Sequence, residues 1–303
     1  MLSEVALFSL FLLSILLIKK WLITPPKPMK NLPPSPPKLP ILGNLHQIGP
    51  SPHKKISSLA KKHGPLMLLH LGKVPLLVAS SADAARDILK THDQIFSNRP
   101  NSSVANAIYE CKDIAFSAYG DYWRQMKGIC VNHLLSSKKV QSFKDVREEE
   151  VFLMMERIRE AKSVVNLSEM FADFANDVIC RVALGRKYGD GGKFKKVLEE
   201  LGVLLGSFDV GEFVPWLWWI KFVNGMSGRV RGVARDIDEF LEFVVREHVG
   251  ERGEGEKDFV DVLLEVQRNE RGGFVLDDVS IKALILVSCS ISFLLFCFAI
   301  SNL

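Results

Sequence analysis

The most informative stretch of the chain reads FSAYGDYWRQMKGICVNHLLSSKKVQSF, from Phe116 to Phe143. Trp123, Arg124 and Lys127 stand at positions i, i+1 and i+4 near the start of a predicted helix, so they share roughly one side of it. An arginine offers a planar fork to a carboxylate, a lysine a point charge, and an indole N–H a further donor beside an apolar plate. This arrangement suits the edge of a cofactor with two carboxylates. The spacing alone favours a simpler interpretation, a surface helix with an exposed basic patch and a core tryptophan.

The residues around this stretch predict a mainly α-helical body with a small β-hairpin. The runs LMLLHL (Leu66–Leu71) and VPLLVA (Val74–Ala79) are separated by Gly72 and Lys73, and a glycine at the first turn position is typical of a two-residue hairpin loop. Elsewhere the apolar residues recur at helical spacing. We expect helices over Tyr122–Leu135, Lys144–Arg159, Leu167–Leu184, Phe194–Leu205, Arg229–His248 and Phe259–Arg268.

The composition excludes several classes of protein. Apolar residues make up 48% of the 303 residues and the formal net charge is +4, which excludes an acidic disordered protein and a polyanion-binding tail. No run of clustered lysine and arginine indicates a nucleic-acid partner. The five cysteines have no close CxxC spacing, are too few for a disulfide scaffold and favour a reducing compartment. The seven histidines lack metal-ligand spacing, so no metal site is expected among them.

The first 24 residues predict a membrane anchor. Residues 5–18 read VALFSLFLLSILLI, and residues 2–23 are about long enough to cross a bilayer if Lys19 and Lys20 snorkel towards its surface. Glu4 precedes the apolar core and the lysines follow it, which is the reverse of a secretory signal and favours a cytosolic body. A cleaved signal and a buried core helix are the alternatives.

Residues 25–40 predict a proline-rich hinge. They contain eight of the 14 prolines, and such a stretch is semi-rigid, extended and unable to continue a helix. We expect this hinge to hold the body, residues 41–282, at a set distance from the membrane. A plain linker or a ligand for a proline-binding domain are the alternatives.

Several motifs, taken in order along the chain, resemble those of one enzyme family. They are PPSPPKLPILGNLHQIG (Pro33–Gly49), HGPLMLLHLG (His63–Gly72), FSNRP (Phe96–Pro100), the YWRQMK block, NDVICRVALGRKY (Asn176–Tyr188), GEFVPWLWWI (Gly211–Ile220) and DFVDVLLEVQ (Asp258–Gln267). Together with the anchor and the hinge, they resemble a microsomal cytochrome P450 of the plant family-71 group. The resemblance continues to about Leu286. It implies the cytochrome P450 fold, which is mainly α with a small sheet region, behind an N-terminal transmembrane helix.

The resemblance implies a haem (heme) cofactor and a monooxygenase that inserts one oxygen atom into a small apolar molecule. Trp123 and Arg124 would bind the haem propionates, with Lys127 where many relatives have arginine. The expected partners are membrane lipid, an NADPH-dependent reductase and the apolar substrate. The expected location is the endoplasmic reticulum membrane, with the body facing the cytosol.

The resemblance also suggests a substrate pocket and a membrane-facing segment. The pocket residues would be Ser103, Val104, Ile114, Phe116 and Phe208. In the family, the segment with Trp216, Trp218 and Trp219 precedes a loop that dips into the membrane, and indole rings favour the interface. Ordinary core packing explains these tryptophans equally well.

After Leu286 the resemblance stops, and the chain continues as VSCSISFLLFCFAISNL. These residues contain no counterpart of the AGTDT-like motif that delivers protons to bound oxygen. The family's ExxR helix and its FxxGxRxCxG loop, whose thiolate ligates iron, are not found either. Two strings, Glu156/Arg159 and Glu265/Arg268, match ExxR but lie upstream of the expected place, so we interpret them as ion pairs on helix surfaces.

In this family, a thiolate bound to the iron favours O–O cleavage. Because the loop that supplies this thiolate is not found, we expect the chain as written to be inactive alone. Cys130 and Cys180 are better interpreted as packing residues. Residues 283–303 form a divergent hydrophobic tail, which is either sequence outside the family's reading frame or a second membrane span. The alternative to an enzyme is a truncated, non-catalytic membrane protein with a binding or interfering role.

Overall fold

The computed structural model describes residues 32–49, 51–188, 193–207, 209–250, 257–269 and 276–301, apart from the side chains of residues 134, 269 and 291–301. The predicted anchor, the first part of the predicted hinge and Phe208 of the predicted pocket lie outside these residues. No helix within the described ranges is long and apolar enough to span a bilayer. The transmembrane helix of the predicted fold thus has no support from the structure and stays a prediction.

Helices make up most of the described chain, as predicted. They are α1 (Leu45–Ile48), α2 (Pro52–His63), α3 (Ala82–Arg86), α4 (Asp93–Phe96), α5 (Ser103–Tyr109), α6 (Asp121–Ile129), α7 (Ser137–Ser142), α8 (Lys144–Glu160), α9 (Leu167–Leu184), α10 (Lys193–Gly206), α11 (Val210–Phe213), α12 (Ile220–Val223), α13 (Met226–Val249), α14 (Phe259–Asn269) and α15 (Asp278–Ser301). Short π-helices follow α3 and α6, at Asp87–Thr91 and Cys130–Leu134, and a 3₁₀ turn spans Pro215–Leu217. Each long helix predicted from the sequence is confirmed to within a turn.

The predicted hairpin is confirmed with its predicted strands, β1 (Leu66–Leu71) and β2 (Val74–Ala79), which pair antiparallel along their whole length. Alternate residues of β1 are buried, as the side-chain period of a strand requires. Gly72 in the turn has a φ of +56°. A Cβ at this position would lie 2.1 Å from the backbone O of Phe213, so only glycine fits the turn.

The described residues divide into two compact units. The first contains residues 32–96 and Asp209–Ile220 apart from residue 50, and the second contains the described residues of the ranges 97–208 and 221–303. In the first unit, Met67 and Leu69 of β1 pack on Ala60 of α2 and form a small core.

The end of the proline-rich segment is bound to the first unit by hydrogen bonds. The Leu68 N–H of β1 donates to the Pro34 O at 2.9 Å. Buried Asn44 accepts from the His70 N–H at 2.9 Å and donates through Nδ2 to the Pro37 O at 3.2 Å. The part of the predicted hinge that the structure describes therefore packs on the body.

The core of the second unit is built around α15. Helix α13 presents one stripe of buried residues to it, including Ile237, Leu241 and Val244 at helical spacing. The stretch of α15 from Ser280 to Val287 is buried on all sides, and Ile281, Ala283, Leu284 and Ile285 have no exposed surface. A helix that is buried all round is stable only where neighbouring helices enclose it. The start of the predicted hydrophobic tail, from residue 283, is thus part of this core.

A buried charge cluster in the second unit holds α8 against α9. The Glu150 carboxylate of α8, 2% exposed, lies 2.8 Å from the Arg181 Nη1 of α9 and 2.5 Å from the Lys187 Nζ. Burial raises the pKa of Glu150, but hydrogen bonds from Lys187 and Arg181 outweigh it and hold this pKa below its ordinary value. A depressed carboxyl pKa stabilises the fold above the unfolded pKa of about 4.3, and this stability is lost as the pH falls through the folded pKa.

We expect Glu150→Gln to lower the free energy of unfolding by about 1–3 kcal/mol at pH 7, because two cations lose a buried acceptor. Urea unfolding of the full chain in detergent, followed by circular dichroism, measures this change. The matched control is Glu149→Gln, since the Glu149 carboxylate contacts the same Arg181 at 2.7 Å but is 62% exposed. It should cost less than about 1 kcal/mol. Equal losses in the two variants, or a Glu150→Gln loss that does not diminish as the pH falls through the folded pKa of Glu150, would contradict the assignment.

Candidate functional site

Helix α6 carries the three residues singled out in the sequence. It begins after Gly120 with Asp121 in its first turn, where a carboxylate is favoured by the helix dipole. Its Met126 is fully buried in the core of the second unit, whereas Arg124 and Lys127 are exposed. The helix therefore presents its cationic side to solvent while the opposite side is anchored.

Trp123, Arg124 and Lys127 lie together, as the spacing predicts. The Lys127 Nζ lies 4.8 Å from the centre of the Trp123 ring, and the Arg124 guanidinium carbon lies 5.5 Å from the centre of the Tyr119 ring. The two rings are themselves 5.5 Å apart in a tilted contact. Each cation is thus within the range in which an aromatic ring attracts it.

The indole of Trp123 is half-buried and its N–H is already engaged. The Nε1 donates to the Ile114 O at 3.0 Å. This bond ties α6 to the loop before it. In this arrangement the indole serves as a plate beside Lys127 and not as a free donor.

Arg124 contacts an acid one turn earlier on its own helix. Its Nη2 lies 2.5 Å from the Asp121 Oδ1, and both side chains are more than half exposed. Hydrogen bonds to Asp121 and then to Tyr119 raise the pKa of Arg124 above its ordinary value. The guanidinium of Arg124 is therefore fully charged. Its partner within the chain is an exposed carboxylate that binds it only weakly.

Arg99 is a further cation of this site that the sequence reasoning missed. Its Nε donates to the Ala115 O and its Nη1 to the Ser97 O, both at 3.0 Å. The neighbouring Asn98 accepts from the Tyr119 N–H at 3.3 Å. The arginine of the FSNRP motif is the signal that would have found it.

We call Arg99, Tyr119, Trp123, Arg124 and Lys127 the basic face. Its three cations and two aromatic rings are arranged around the loop 114–119. Asp113 fixes the start of this loop, because its Oδ1 accepts from the Ala115 N–H at 2.7 Å and the Phe116 N–H at 2.9 Å. The basic face can bind an anion with two carboxylates, since guanidinium and ammonium groups form the stronger, charge-assisted hydrogen bonds.

The predicted substrate-pocket residues that the structure describes do not all line one cavity. Ile114 lines an apolar cavity of about 320 Å³, together with residues of α7, α9 and α15. Ser103, Val104 and Phe116 do not line this cavity. Val104 is buried in the core of the second unit. The pocket therefore stays a prediction.

The cysteines whose side chains the structure describes do not resemble metal-binding thiolates. Burial raises the pKa of Cys130 to about 12 and that of Cys289 well above its ordinary value. Cys111 is half-buried, and burial raises its pKa as well. Cys130 and Cys180 both belong to the hydrophobic core, in agreement with the packing role predicted for them.

The ion pair predicted for Glu156 and Arg159 is confirmed at 2.5 Å.

His248, Asp258 and Asp261 form a largely buried cluster whose composition is that of a metal site. The sequence did not predict this cluster, because the histidines lack metal-ligand spacing. The geometry has a simpler cause. Asp258 and Asp261 each accept from the other's backbone N–H, at 3.0 and 3.2 Å, which is a reciprocal cap for α14. The His248 Nε2 lies 2.9 Å from the Asp258 Oδ2, so the cluster joins the end of α13 to the start of α14.

We expect Trp123→Phe to lower the free energy of unfolding by about 1 kcal/mol, because the Ile114 O loses its donor while a smaller aromatic ring is kept. Chemical unfolding of the full chain measures this. Trp219→Phe is the control, since Trp219 is 49% exposed and should tolerate the change within about 0.5 kcal/mol. A Trp123→Phe variant as stable as the control would show that this hydrogen bond does not fix the loop.

Comparison with known proteins identifies the family. The family model described as Cytochrome P450 matches residues 33–289, and this match ends close to Leu286, where the sequence resemblance was expected to stop. Cytochrome P450 71A22 of Arabidopsis thaliana is 54% identical over 259 residues, which are 84% of this chain and 52% of that protein.

Two further relatives give the same result. Cytochrome P450 71A25 of Arabidopsis thaliana is 50% identical over 94% of this chain and 58% of its own length. Cytochrome P450 71A3 of Solanum melongena is 47% identical over 90% of this chain and 78% of its own length. The chain spans about half the length of the Arabidopsis relatives. From the extent of these matches, the chain belongs to the cytochrome P450 family and is similar to its plant family-71 members.

Proposed function

We propose that the basic face supplies the propionate-binding side of a haem monooxygenase that oxidises a small apolar molecule. The observation that carries the proposal is the basic face, three cations and two aromatic rings on and beside α6. Membership of the cytochrome P450 family supports haem as the group with two carboxylates.

The residues of the basic face fit the carboxylate edge of haem by their donor chemistry. Arg124 would offer its guanidinium in place of its contact with Asp121, and Lys127 would add a point charge. Arg99 would contribute the part of its guanidinium that does not bind the loop carbonyls. Trp123 would act through its hydrogen bond to Ile114, which orients the loop, and through its ring. The Trp123 role implied by the resemblance is thus proposed as indirect.

Haem supplies oxygen activation when bound, and an NADPH-dependent reductase would supply the electrons. In the family, a cysteine thiolate would bind the haem iron for this chemistry. Cys130, Cys180 and Cys289 pack in the hydrophobic core, and none of the five cysteines lies in a match to the family's FxxGxRxCxG loop. We therefore propose that the 303 residues alone hold no cysteine-ligated haem and are inactive.

Titration of the full chain in detergent with haemin and with its dimethyl ester tests the basic face. The ester keeps the ring and loses both charges, so we expect it to bind more weakly. Arg124→Gln should weaken haemin binding by about tenfold or more and leave ester binding unchanged, as expected for a lost charge-assisted hydrogen bond.

The matched control is Arg159→Gln, because Arg159 also pairs with an acid three residues earlier on an exposed helix side. It should change neither affinity. Equal affinity of the two porphyrins for the chain would overturn the proposal. A chain that binds neither would favour the non-catalytic alternative, and a thiolate-type Soret band in the reduced, carbon-monoxide-bound spectrum would overturn the proposed lack of a cysteine ligand.

The proposal extends to membrane attachment at the endoplasmic reticulum with the body in the cytosol. Residues 1–24 would be the anchor, 25–40 the hinge, 41–282 the haem-domain part and 283–303 a divergent tail. The uncharged run at residues 5–18, followed by lysines, supports the anchor. The exposed rings of Trp216, Trp218 and Trp219, each about half exposed in the first unit, suit a lipid interface.

We expect the expressed chain to stay with microsomes after a carbonate wash, because its apolar run buries enough surface to hold it in the bilayer. Leu10→Lys combined with Leu13→Lys should release it, since each charge at the centre of a span costs about 2.5–3.5 kcal/mol. Leu32→Lys, which lies beyond the apolar run, is the control and should not release it. Release of the unchanged chain would contradict the anchor.

A further inference from the structure

A closed ring of hydrogen bonds joins α6 to the first turn of α15. The Tyr122 hydroxyl of α6 donates to the Lys112 O at 2.6 Å and lies 2.9 Å from the Ser280 Oγ of α15. Since the tyrosine has one proton and gives it to the carbonyl, the serine hydroxyl donates to the Tyr122 oxygen. The Lys112 Nζ reaches the Asp277 Oδ2 at 2.7 Å, and the Ser280 N–H donates to the Asp277 Oδ1 at 2.8 Å. We call Lys112, Tyr122, Asp277 and Ser280 the clamp.

The clamp and the basic face share one loop. Tyr122 and Trp123 are adjacent on α6, and they bind the carbonyls of Lys112 and Ile114. A single turn of the helix therefore grips the loop at two points that are two residues apart. Asp113, between these points, closes its own turn with the backbone N–H groups of the next residues.

The clamp is most buried at the contact between its two hydroxyl groups, so losing one of these hydroxyls is costly. Ser280 is 2% exposed and Tyr122 is half-buried. Asp277 also caps α15, and burial raises its pKa less than the hydrogen bonds from Lys112 and Ser280 lower it. A hydroxyl removed from such a network leaves a buried partner without its hydrogen bond.

We propose that Tyr122 is a positioning residue for the basic face. It sets the loop 112–116 against α15, and thereby the carbonyls that hold Trp123 and Arg99. Tyr122 itself is not one of the residues of the basic face. The identity of the ligand rests on the proposed function, whereas the clamp rests on its hydrogen bonds alone.

Hydrogen–deuterium exchange of the full chain tests the clamp directly. Tyr122→Phe removes only the hydroxyl, and we expect the amides of residues 112–116 and 121–129 to exchange about five- to tenfold faster. Ser280→Ala should give the same pattern, and the double variant should be no faster than either single one, because the two hydroxyls act in one ring.

Tyr188→Phe is the matched control, since the Tyr188 hydroxyl bonds Glu247 at 3.0 Å, far along the chain from the clamp. It should leave both segments unchanged. Unchanged exchange in Tyr122→Phe, or additive effects in the double variant, would overturn the clamp.

Haemin and its dimethyl ester distinguish positioning from general destabilisation. If Tyr122 positions the basic face, Tyr122→Phe weakens haemin binding at least about threefold and leaves ester binding unchanged. Equal weakening of both porphyrins would assign Tyr122 a merely structural role and overturn the proposal. If even the unchanged chain binds no haemin, the proposed function fails, and the exchange pattern alone decides the clamp.

Discussion

The burial of the first half of α15 is the constraint on which the rest of the second unit depends. This part of the helix is buried on every side, so it requires neighbours around its whole circumference, and α9 and α13 supply much of that enclosure. Its one cation in this stretch, Lys282, is held by Asp238 and Glu242 of α13 at 2.8 Å each. A buried ammonium tolerates such a position only with paired carboxylates, and these two pairs therefore fix the rotation of α15 relative to α13.

The position of the basic face follows from that of α15. The helix begins at a capped first turn, where Asp277 accepts from Ser280 and also binds Lys112 of the loop before α6. The loop is in turn bound by α6. The enclosed core fixes α15, the capped start of α15 fixes the loop before α6, and the carbonyls of this loop orient Trp123 and Arg99. A rigid scaffold of this kind reduces the entropy lost when a ligand orders the side chains that bind it.

Much of the fold could be predicted from the sequence because it depends on local pattern. The hairpin was predicted to the residue, since alternation and Gly72 specify both its strands and its turn. The grouping of Arg124 and Lys127 followed from helical spacing. Arg99 could have been singled out from the FSNRP motif, but its position could not be predicted, because its contact with the Ala115 carbonyl spans 16 residues and involves a backbone acceptor that no residue type signals. The contact of His248 with Asp258 escaped prediction because the two residues lie ten positions apart, outside the spacing of one helix turn.

The contact between Arg124 and Asp121 decides how the basic face can act. An acid three residues away on an exposed helix side binds the guanidinium weakly, because water screens both charges. A ligand carboxylate that binds Arg124 together with Lys127 can therefore displace Asp121. Until then Asp121 keeps the guanidinium near the Tyr119 ring, in the place where the ligand would meet it. The acid therefore holds Arg124 in position at little cost to binding.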